Sequence, residues 1–205
     1  MKTFEVYPLV ATPERAQVVS TILRKLAAYD TVFNDAQRGC EEGCLTKPLG
    51  EMCPRCVSQL QLISSALLAP DTRVFEVWKF DDEEAEIVGV IYFTDVVPGE
   101  DALGHYIFFD HDLASKTDVM KEVISWAFED HPEEGWKGLR RISVEIPMFA
   151  FILAKHASKK LGFGGPFWLR RRGLSVPVEG LKEGRILWKG KEEDVMLMGL
   201  RRPRG

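Results

Sequence analysis

The fold is decided by the stretch Leu139–Arg172, which reads LRRISVEIPMFAFILAKHASKKLGFGGPFWLRRR. Its residue pattern predicts three elements in order, a strand at Leu139–Ile146, a helix at Met148–Leu161 and a strand at Phe163–Arg170. A last strand is predicted at Asp194–Arg201, after a Gly-rich and Pro-containing excursion from Gly173 to Lys191. This part of the chain therefore brings strands together through a helix.

The first half of the chain carries two predicted helices and four predicted strands. One helix starts at Thr12-Pro13 and ends near Asp30, and a second runs from Val57 to Leu67 until Ala69-Pro70 stops it. Runs rich in β-branched and aromatic residues predict the strands Thr3–Val10, Thr72–Phe80, Glu86–Val97 and Leu103–Phe109. The last three of these strands are expected to form an antiparallel meander.

A further helix lies between the meander and Leu139. The S-x-x-D pattern of Ser115 and Asp118 predicts the N-terminus of this helix, and His131-Pro132 closes it. The complete order is β-α-α-β-β-β-α-β-α-β-β. It predicts an α/β fold with a mixed, mostly antiparallel sheet flanked by helices on both faces.

Length and composition limit the classes of protein. The 205 residues are predicted to form one domain, 1–205, since this length buries one substantial core. Hydrophobic residues make up 45% and charged residues 28%, as in a globular protein. A net charge of −4 gives no basic field for nucleic acid. With neither a signal-peptide pattern nor an apolar run of about 18 residues, we expect a cytoplasmic protein without membrane contact.

All four cysteines lie in residues 31–56, which form a Cys-rich insertion between the first two helices. Cys40, Cys44, Cys53 and Cys56 follow the spacing C-x3-C-x8-C-x2-C. Two close pairs can place four thiolates around one zinc ion, and four protein ligands leave no open position for catalysis. We therefore predict structural zinc, with free or redox-active thiols and disulfides as alternatives. The insertion is also a candidate platform for a protein partner or a substrate.

Several segments resemble the GNAT superfamily of N-acetyltransferases. They are RRISVEIP at residues 140–147, KKLGFGGPFWLRR with its Leu-Gly-Phe corner at 159–171, DVMLMGLRR at 194–202 and EIVGVIYFTDV at 86–96. The match covers nearly the whole chain apart from the cysteine segment, and it is closest in character to GNAT-like proteins of bacteriophages and bacteria. The resemblance implies the GNAT fold, acetyl-CoA as acyl donor and an amine as acceptor.

In this family a Gly-rich loop before a helix binds the pyrophosphate of acetyl-CoA through backbone N–H groups. The corresponding segment here, DHDLASKTD at residues 110–118, lacks both glycines and contains three aspartates. The resemblance places four residues at the acyl-CoA, namely Phe109, Ser115, Lys116 and Thr117. The aspartates are expected to repel a diphosphate, so the acyl-CoA loop is degenerate.

The family's proton-donating tyrosine, four residues before the glycine of the Gly-Phe corner, corresponds to Ser158 here. A serine hydroxyl can relay a proton through water, although it is a poorer acid than a phenol. Glu145 and His105 lie on the predicted central strands and are the candidate general bases. In the competing interpretation, His105 has no catalytic role and is a half-buried strand residue with a hydrogen-bond partner.

The sequence predicts an acyl-CoA-dependent N-acetyltransferase that acts on an amine of a protein or a small molecule. One alternative is a catalytically inactive GNAT-like binding or structural protein, related to phage and located in an infected cell or a virion. Another is a zinc-ribbon adaptor that binds nucleic acid through Arg170–Arg172. One structural feature distinguishes the acetyltransferase from the inactive GNAT-like protein. In the acetyltransferase the fourth and fifth strands splay apart and leave an open cleft, whereas in the inactive protein Phe108, Phe109 and Phe151 fill the space between them.

Overall fold

A computed structural model describes residues 3–9, 19, 44, 47–81, 84–108, 113–147, 178–188 and 191–202. The elements within these ranges are β1 (Thr3–Pro8), α1 (Pro54–Leu68), β2 (Arg73–Phe80), β3 (Ala85–Val97), β4 (Asp101–Phe108), α2 (Leu113–Phe128), β5 (Arg141–Pro147), β6 (Val178–Trp188) and β7 (Lys191–Arg201). Single 3-10 turns occur at Leu49–Glu51 and Pro132–Glu134.

The strands form one seven-stranded sheet in the order β1-β2-β3-β4-β5-β7-β6. Strands β1 to β4 pair antiparallel in sequence, which confirms the predicted meander. The pair β4–β5 is parallel, whereas β5–β7 and β6–β7 are antiparallel. Helix α2 provides the crossover that a parallel pair requires. The predicted mixed, mostly antiparallel sheet is confirmed.

The segment from Gly173 to Lys191 was predicted to be irregular, but it contains strand β6. Residues Val178–Trp188 pair with β7. The prediction was wrong here because Gly180 and Gly184 interrupt the β-branched pattern. The sheet accommodates them through register shifts between Val178 and Gly180 and between Lys182 and Ile186. Gly184 adopts a φ of 55°, which a residue with a side chain rarely adopts.

The sheet separates two hydrophobic cores, because successive side chains of a strand point to opposite faces. The α1-face core contains Val19, Cys44, Cys56, Leu60, Leu67, Val74, Ile87 and Val90. The α2-face core contains, among others, Phe75, Val77, Ile91, Phe93, Val119, Val123, Ile142 and Leu200. Helices therefore pack on both faces of the sheet, as predicted.

Each described helix buries one stripe of side chains. In α1 the stripe is Cys56, Leu60 and Leu67, at helical spacing. Pro54 occupies the first turn of α1, where a proline costs no hydrogen bond. In α2 the stripe is the predicted set Val119, Val123, Ile124, Ala127 and Phe128.

The predicted start of α2 needs correction. The helix covers Leu113–Phe128, so Ser115 lies inside its first turn and is not the N-cap residue. The S-x-x-D pattern misled because Leu113 and Ala114 are both good helix formers and extend the helix beyond the pattern.

Three predicted elements lie outside the described residues, namely the helices Thr12–Asp30 and Met148–Leu161 and the strand Phe163–Arg170. The exception is Val19 in the first of these helices, which is helical and buried. Within the described ranges, no helix has the length and apolar character needed to cross a membrane.

Candidate functional site

The strands β4 and β5 pair over only part of their lengths. Their parallel register runs from Asp101 opposite Arg141 to Gly104 opposite Val144. Beyond that point β4 stays paired with β3 as far as Phe108, and β5 stays paired with β7 as far as Pro147. The two strands therefore separate in the middle of the sheet, as the splayed alternative of the sequence analysis requires. The side chains of Phe108, Phe109 and Phe151 lie outside the description.

The paired ends of β4 and β5 are held together by side chains as well as by the backbone. The Ser143 hydroxyl donates to Asp101, with oxygen separations of 3.2 Å to Oδ1 and 3.1 Å to Oδ2. A Cβ atom on Gly104 would lie 3.0 Å from Cγ2 of Ile142, so a side chain there would crowd the last pair. The point of separation is thus fixed by local packing.

His105 and Glu145 are the residues that directly follow the last β4–β5 pair. Each occupies the first position at which its strand leaves the other. Ile142 and Val144 contact the α2-face core, so the alternation of β5 places Glu145 on the α1 face. The ring of His105 stacks on Tyr92, which packs against the α1-face core. Both predicted general bases therefore lie on the same face, at the edge of the separation.

The His105 ring is fixed by two neighbours on β3. Its Nε2 lies 2.9 Å from Oγ1 of Thr94, and its ring centroid lies 4.6 Å from that of Tyr92 with an interplanar angle of 15°. Burial lowers the pKa of His105 below its ordinary value of 6.5, while the carboxylates of Asp95 and Glu145 oppose this shift. The ring is therefore neutral at pH 7. Its half-buried state and its hydrogen bond also match the competing structural interpretation.

Asp95, the residue after Thr94 on β3, has an unusual backbone conformation. Its φ of 51° makes it the one positive-φ residue other than glycine in the described part of the chain. The β3–β4 register shifts between Thr94 and Val97, next to it. Bulges of this kind re-aim neighbouring side chains, and they often occur beside functional sites.

Glu145 forms an ion pair with Lys182 of β6. The side chains are 23% and 42% exposed, so water screens the pair incompletely. The pair occupies one oxygen of the Glu145 carboxylate. Lys182 was missed by the sequence analysis because β6 was assigned to an irregular segment.

Three of the four cysteines come together at the start of α1. The sulfur atoms of Cys44, Cys53 and Cys56 all lie within 4.8 Å of one another, and none of these three cysteines forms a disulfide bond. Cys44 and Cys56 are buried, with 6% and 1% exposure. The backbone N–H of Cys53 donates to Sγ of Cys44 over 3.3 Å. Cys40, the predicted fourth member, lies outside the described residues.

The cluster gains its shape from the helix that follows it. Cys53 is the N-cap residue of α1, and Cys56 lies in the first turn. The positive end of the helix dipole stabilises negative charge there, and thiolates are the form in which cysteine binds metal. The three sulfurs thus form a donor set that suits a metal ion.

The predicted acyl-CoA residues are only partly described. Ser115, Lys116 and Thr117 belong to the first turns of α2, which follows β4 in the chain. Their side chains are outside the description, as are Phe109 and Ser158 entirely. Their assigned roles stay predictions.

Comparison with solved structures shows where this architecture occurs. A spermidine N-acetyltransferase SpeG chimera from Vibrio cholerae superposes with a TM-score of 0.56 and 11% identity, over 97% of this chain and 95% of the other. The chain has the GNAT fold. An acetyltransferase of the GNAT family from Streptococcus pneumoniae gives a TM-score of 0.53 and 16% identity, over 97% and 100% of the two chains.

A third protein with the GNAT fold, the ribosomal-protein-S5-alanine acetyltransferase from Vibrio fischeri, gives a TM-score of 0.54 and 13% identity, over 98% and 96% of the chains. No protein-family model matches the sequence, and neither does any curated protein. At such low identity the comparison shows the GNAT fold alone.

Proposed function

We propose that this protein is an acyl-CoA-dependent N-acetyltransferase that transfers an acetyl group to the amine of a protein or a small molecule. The observation that supports it most is the separation of β4 and β5 directly after Gly104 and Val144, with a neutral imidazole at its edge. A gap of this kind exposes strand edges that can hold an extended acyl chain, and the imidazole supplies a base beside it.

His105 is the general base in this proposal. It removes a proton from the acceptor amine, whose nitrogen then attacks the thioester carbonyl carbon of acetyl-CoA. The C–N bond forms, the C–S bond breaks, and the CoA thiolate leaves and takes up a proton. Ser158 is proposed to relay that last proton through water. The carboxylate of Glu145 stabilises the imidazolium that forms.

The acyl-CoA phosphates are proposed to bind at the start of α2. A helix N-terminus offers free N–H groups and a positive dipole end, which favour a diphosphate even without glycines. Lys116 adds a cation, and Ser115 and Thr117 add hydroxyl donors, while Phe109 precedes the helix. This proposal accounts for the altered loop by replacing backbone contacts with side-chain contacts.

The first test is a calorimetric titration of the folded protein with acetyl-CoA, followed by acetylation assays on amines. Spermidine and ribosomal protein S5 are the first acceptors to try, because proteins of this fold are named for acting on them. We expect binding, acetylation of at least one amine, and a loss of roughly 10²- to 10⁴-fold in kcat/KM for His105→Ala. Folded protein that fails to bind acetyl-CoA would contradict the proposal.

That failure would favour the second candidate, a GNAT-like protein that acts in binding or assembly without catalysis. The acidic residues of the segment 110–118 are the observation in its favour. An intermediate result is also informative. If the protein binds acetyl-CoA and His105→Ala leaves the turnover unchanged, the acetyltransferase proposal stands and Glu145 becomes the assigned base.

We further propose that the cysteine cluster holds a structural zinc ion, with Cys40 as fourth ligand. In a tetrahedral site with Zn–S bonds of about 2.3 Å the sulfurs lie about 3.8 Å apart, which the observed cluster, within 4.8 Å, accommodates. Four thiolates leave no open position, so the metal would fasten the insertion to α1 and take no part in the reaction. The insertion could then present a protein partner or an acceptor to the site.

The zinc proposal predicts about one zinc per chain in protein purified under reducing conditions, measured by elemental mass spectrometry. Cys44→Ser, Cys53→Ser and Cys56→Ser should each lose the metal and lower the melting temperature, because the site contributes folding energy. Glu51→Gln, an exposed change beside the cluster, is the control and should keep it. Cys40→Ser tests the fourth ligand. Reduced, folded wild-type protein without metal would refute the site.

A further inference from the structure

The imidazole of His105 is held in one orientation by β3. Tyr92 lies directly opposite His105 in the antiparallel register, and the two rings stack. Thr94, two residues further along the same face of β3, reaches Nε2 with its hydroxyl at 2.9 Å. Two contacts from one strand therefore fix both the plane of the ring and which nitrogen points towards β3.

The backbone around Thr94 keeps this contact in place. Thr94 pairs with Leu103, and the register shift begins immediately after it, at Asp95 with its positive φ. Threonine is β-branched, so its χ1 rotamer is restricted and its hydroxyl has few alternative positions. Among the described residues Thr94 is the hydrogen-bond partner of the His105 ring, and it occupies Nε2.

We propose that Thr94 is a positioning residue that keeps the proton of neutral His105 on Nε2, so that Nδ1 is the nitrogen that accepts the proton of the acceptor amine. This role rests on the proposed acetyltransferase function, in which His105 is the base. The hydrogen bond between Thr94 and Nε2 excludes Nε2 as the base. In either tautomer, the lone pair or the proton of Nε2 takes part in the hydrogen bond to the Thr94 hydroxyl.

The Nε2–H form also suits the reaction cycle. When Nδ1 takes up a proton, both ring nitrogens become donors, and the bond from Nε2–H to Oγ1 of Thr94 persists unchanged. The opposite form would require the hydroxyl to reverse its hydrogen bond during proton transfer. Asp95 and Glu145 are the charged groups that act on the ring, and both stabilise its protonated state.

Long-range ¹H–¹⁵N correlation spectra of labelled wild-type protein above pH 7 test the tautomer directly. His131 is an internal reference, since its Nε2 lies 3.0 Å from the carbonyl oxygen of Trp126, which can only accept, so that Nε2 must carry a proton. A spectrum of His105→Asn assigns the His105 signals. We expect a protonated Nε2 and an unprotonated Nδ1 for His105. A proton on Nδ1 in the neutral ring would overturn the proposal without any variant at Thr94.

Substitution of Thr94 tests its role in turnover. Thr94→Val keeps the shape but removes the hydroxyl, so we expect a mixture of tautomers and a loss of roughly two- to tenfold in kcat/KM at the pH optimum. Thr94→Ser keeps the hydroxyl and should restore the single tautomer and most of the rate. Unchanged tautomer and rate in Thr94→Val would overturn the proposal.

The two proposals can fail separately. An Nε2–H tautomer in a protein that acetylates no amine overturns the acetyltransferase function, and with it any catalytic role of Thr94. Acetylation that depends on His105 while the neutral ring carries its proton on Nδ1 overturns only the role of Thr94.

Discussion

At the scale of single residues, the proposed site depends on one histidine, and the groups around it shift its pKa in opposite directions. Burial lowers the pKa of His105, whereas the carboxylates of Asp95 and Glu145 raise it. The lowering by burial is the larger effect, so the neutral, basic form prevails at pH 7. A histidine balanced in this way is sensitive to the loss of either neighbour.

This balance predicts the pH dependence of the reaction. The base must be neutral to accept a proton, so kcat/KM should fall as the pH decreases through the His105 pKa, with the midpoint below 6.5. Asp95→Asn removes a charge that raises this pKa and should move the midpoint to lower pH. Asparagine tolerates the positive φ at this position, so the backbone is preserved. A midpoint above 6.5 in the wild type would contradict the assignment of His105.

At the scale of elements, α1 links the cysteine cluster to the sheet. Its first turn carries Cys56, and its buried stripe continues through Leu60 to Leu67 against Val74 and Val90. Tyr92, on which His105 stacks, packs against the same core. The insertion and the candidate active site therefore share one packed layer.

Two leucines of α1 allow a matched test of that layer. Leu67 is fully buried, whereas Leu62 is 65% exposed on the opposite side of the helix. Leu67→Ala should lower the free energy of unfolding by about 2–5 kcal/mol, since it removes buried methyl groups and leaves a cavity. Leu62→Ala should change it by less than about 0.5 kcal/mol. Denaturant titration measures both, and equal effects would show that α1 does not pack as described.

At the scale of the whole molecule, the sheet divides the protein into two functional layers. The α2-face core carries the helix at whose start the acyl-CoA phosphates are proposed to bind. The α1-face core includes Cys44 and Cys56 of the cysteine cluster, and His105 stacks on Tyr92, which packs against this core. The separation of β4 and β5 lies between these layers, and it is the place where the donor and the acceptor are proposed to meet.

Much of this architecture could be predicted from local patterns. Periodicity depends on neighbours in sequence. It predicts the meander, the buried stripe of α2, the strand β5 and the packing of helices on both faces of the sheet. The cysteine cluster was predictable for the same reason, because its described members lie within a short span. Strand β6 was not predictable, since its irregular register is tolerated only because β7 lies beside it.

The sequence by itself determined the described elements other than β6, the mixed sheet and the residue types of the candidate site, including His105 and Glu145. Only the tertiary structure decided where β4 and β5 part, that Thr94 binds Nε2 of His105, and that Lys182 pairs with Glu145. The physical reason is register. Side chains on different strands meet only when the pairing of those strands is fixed, and a shift of one residue would send each to the opposite face.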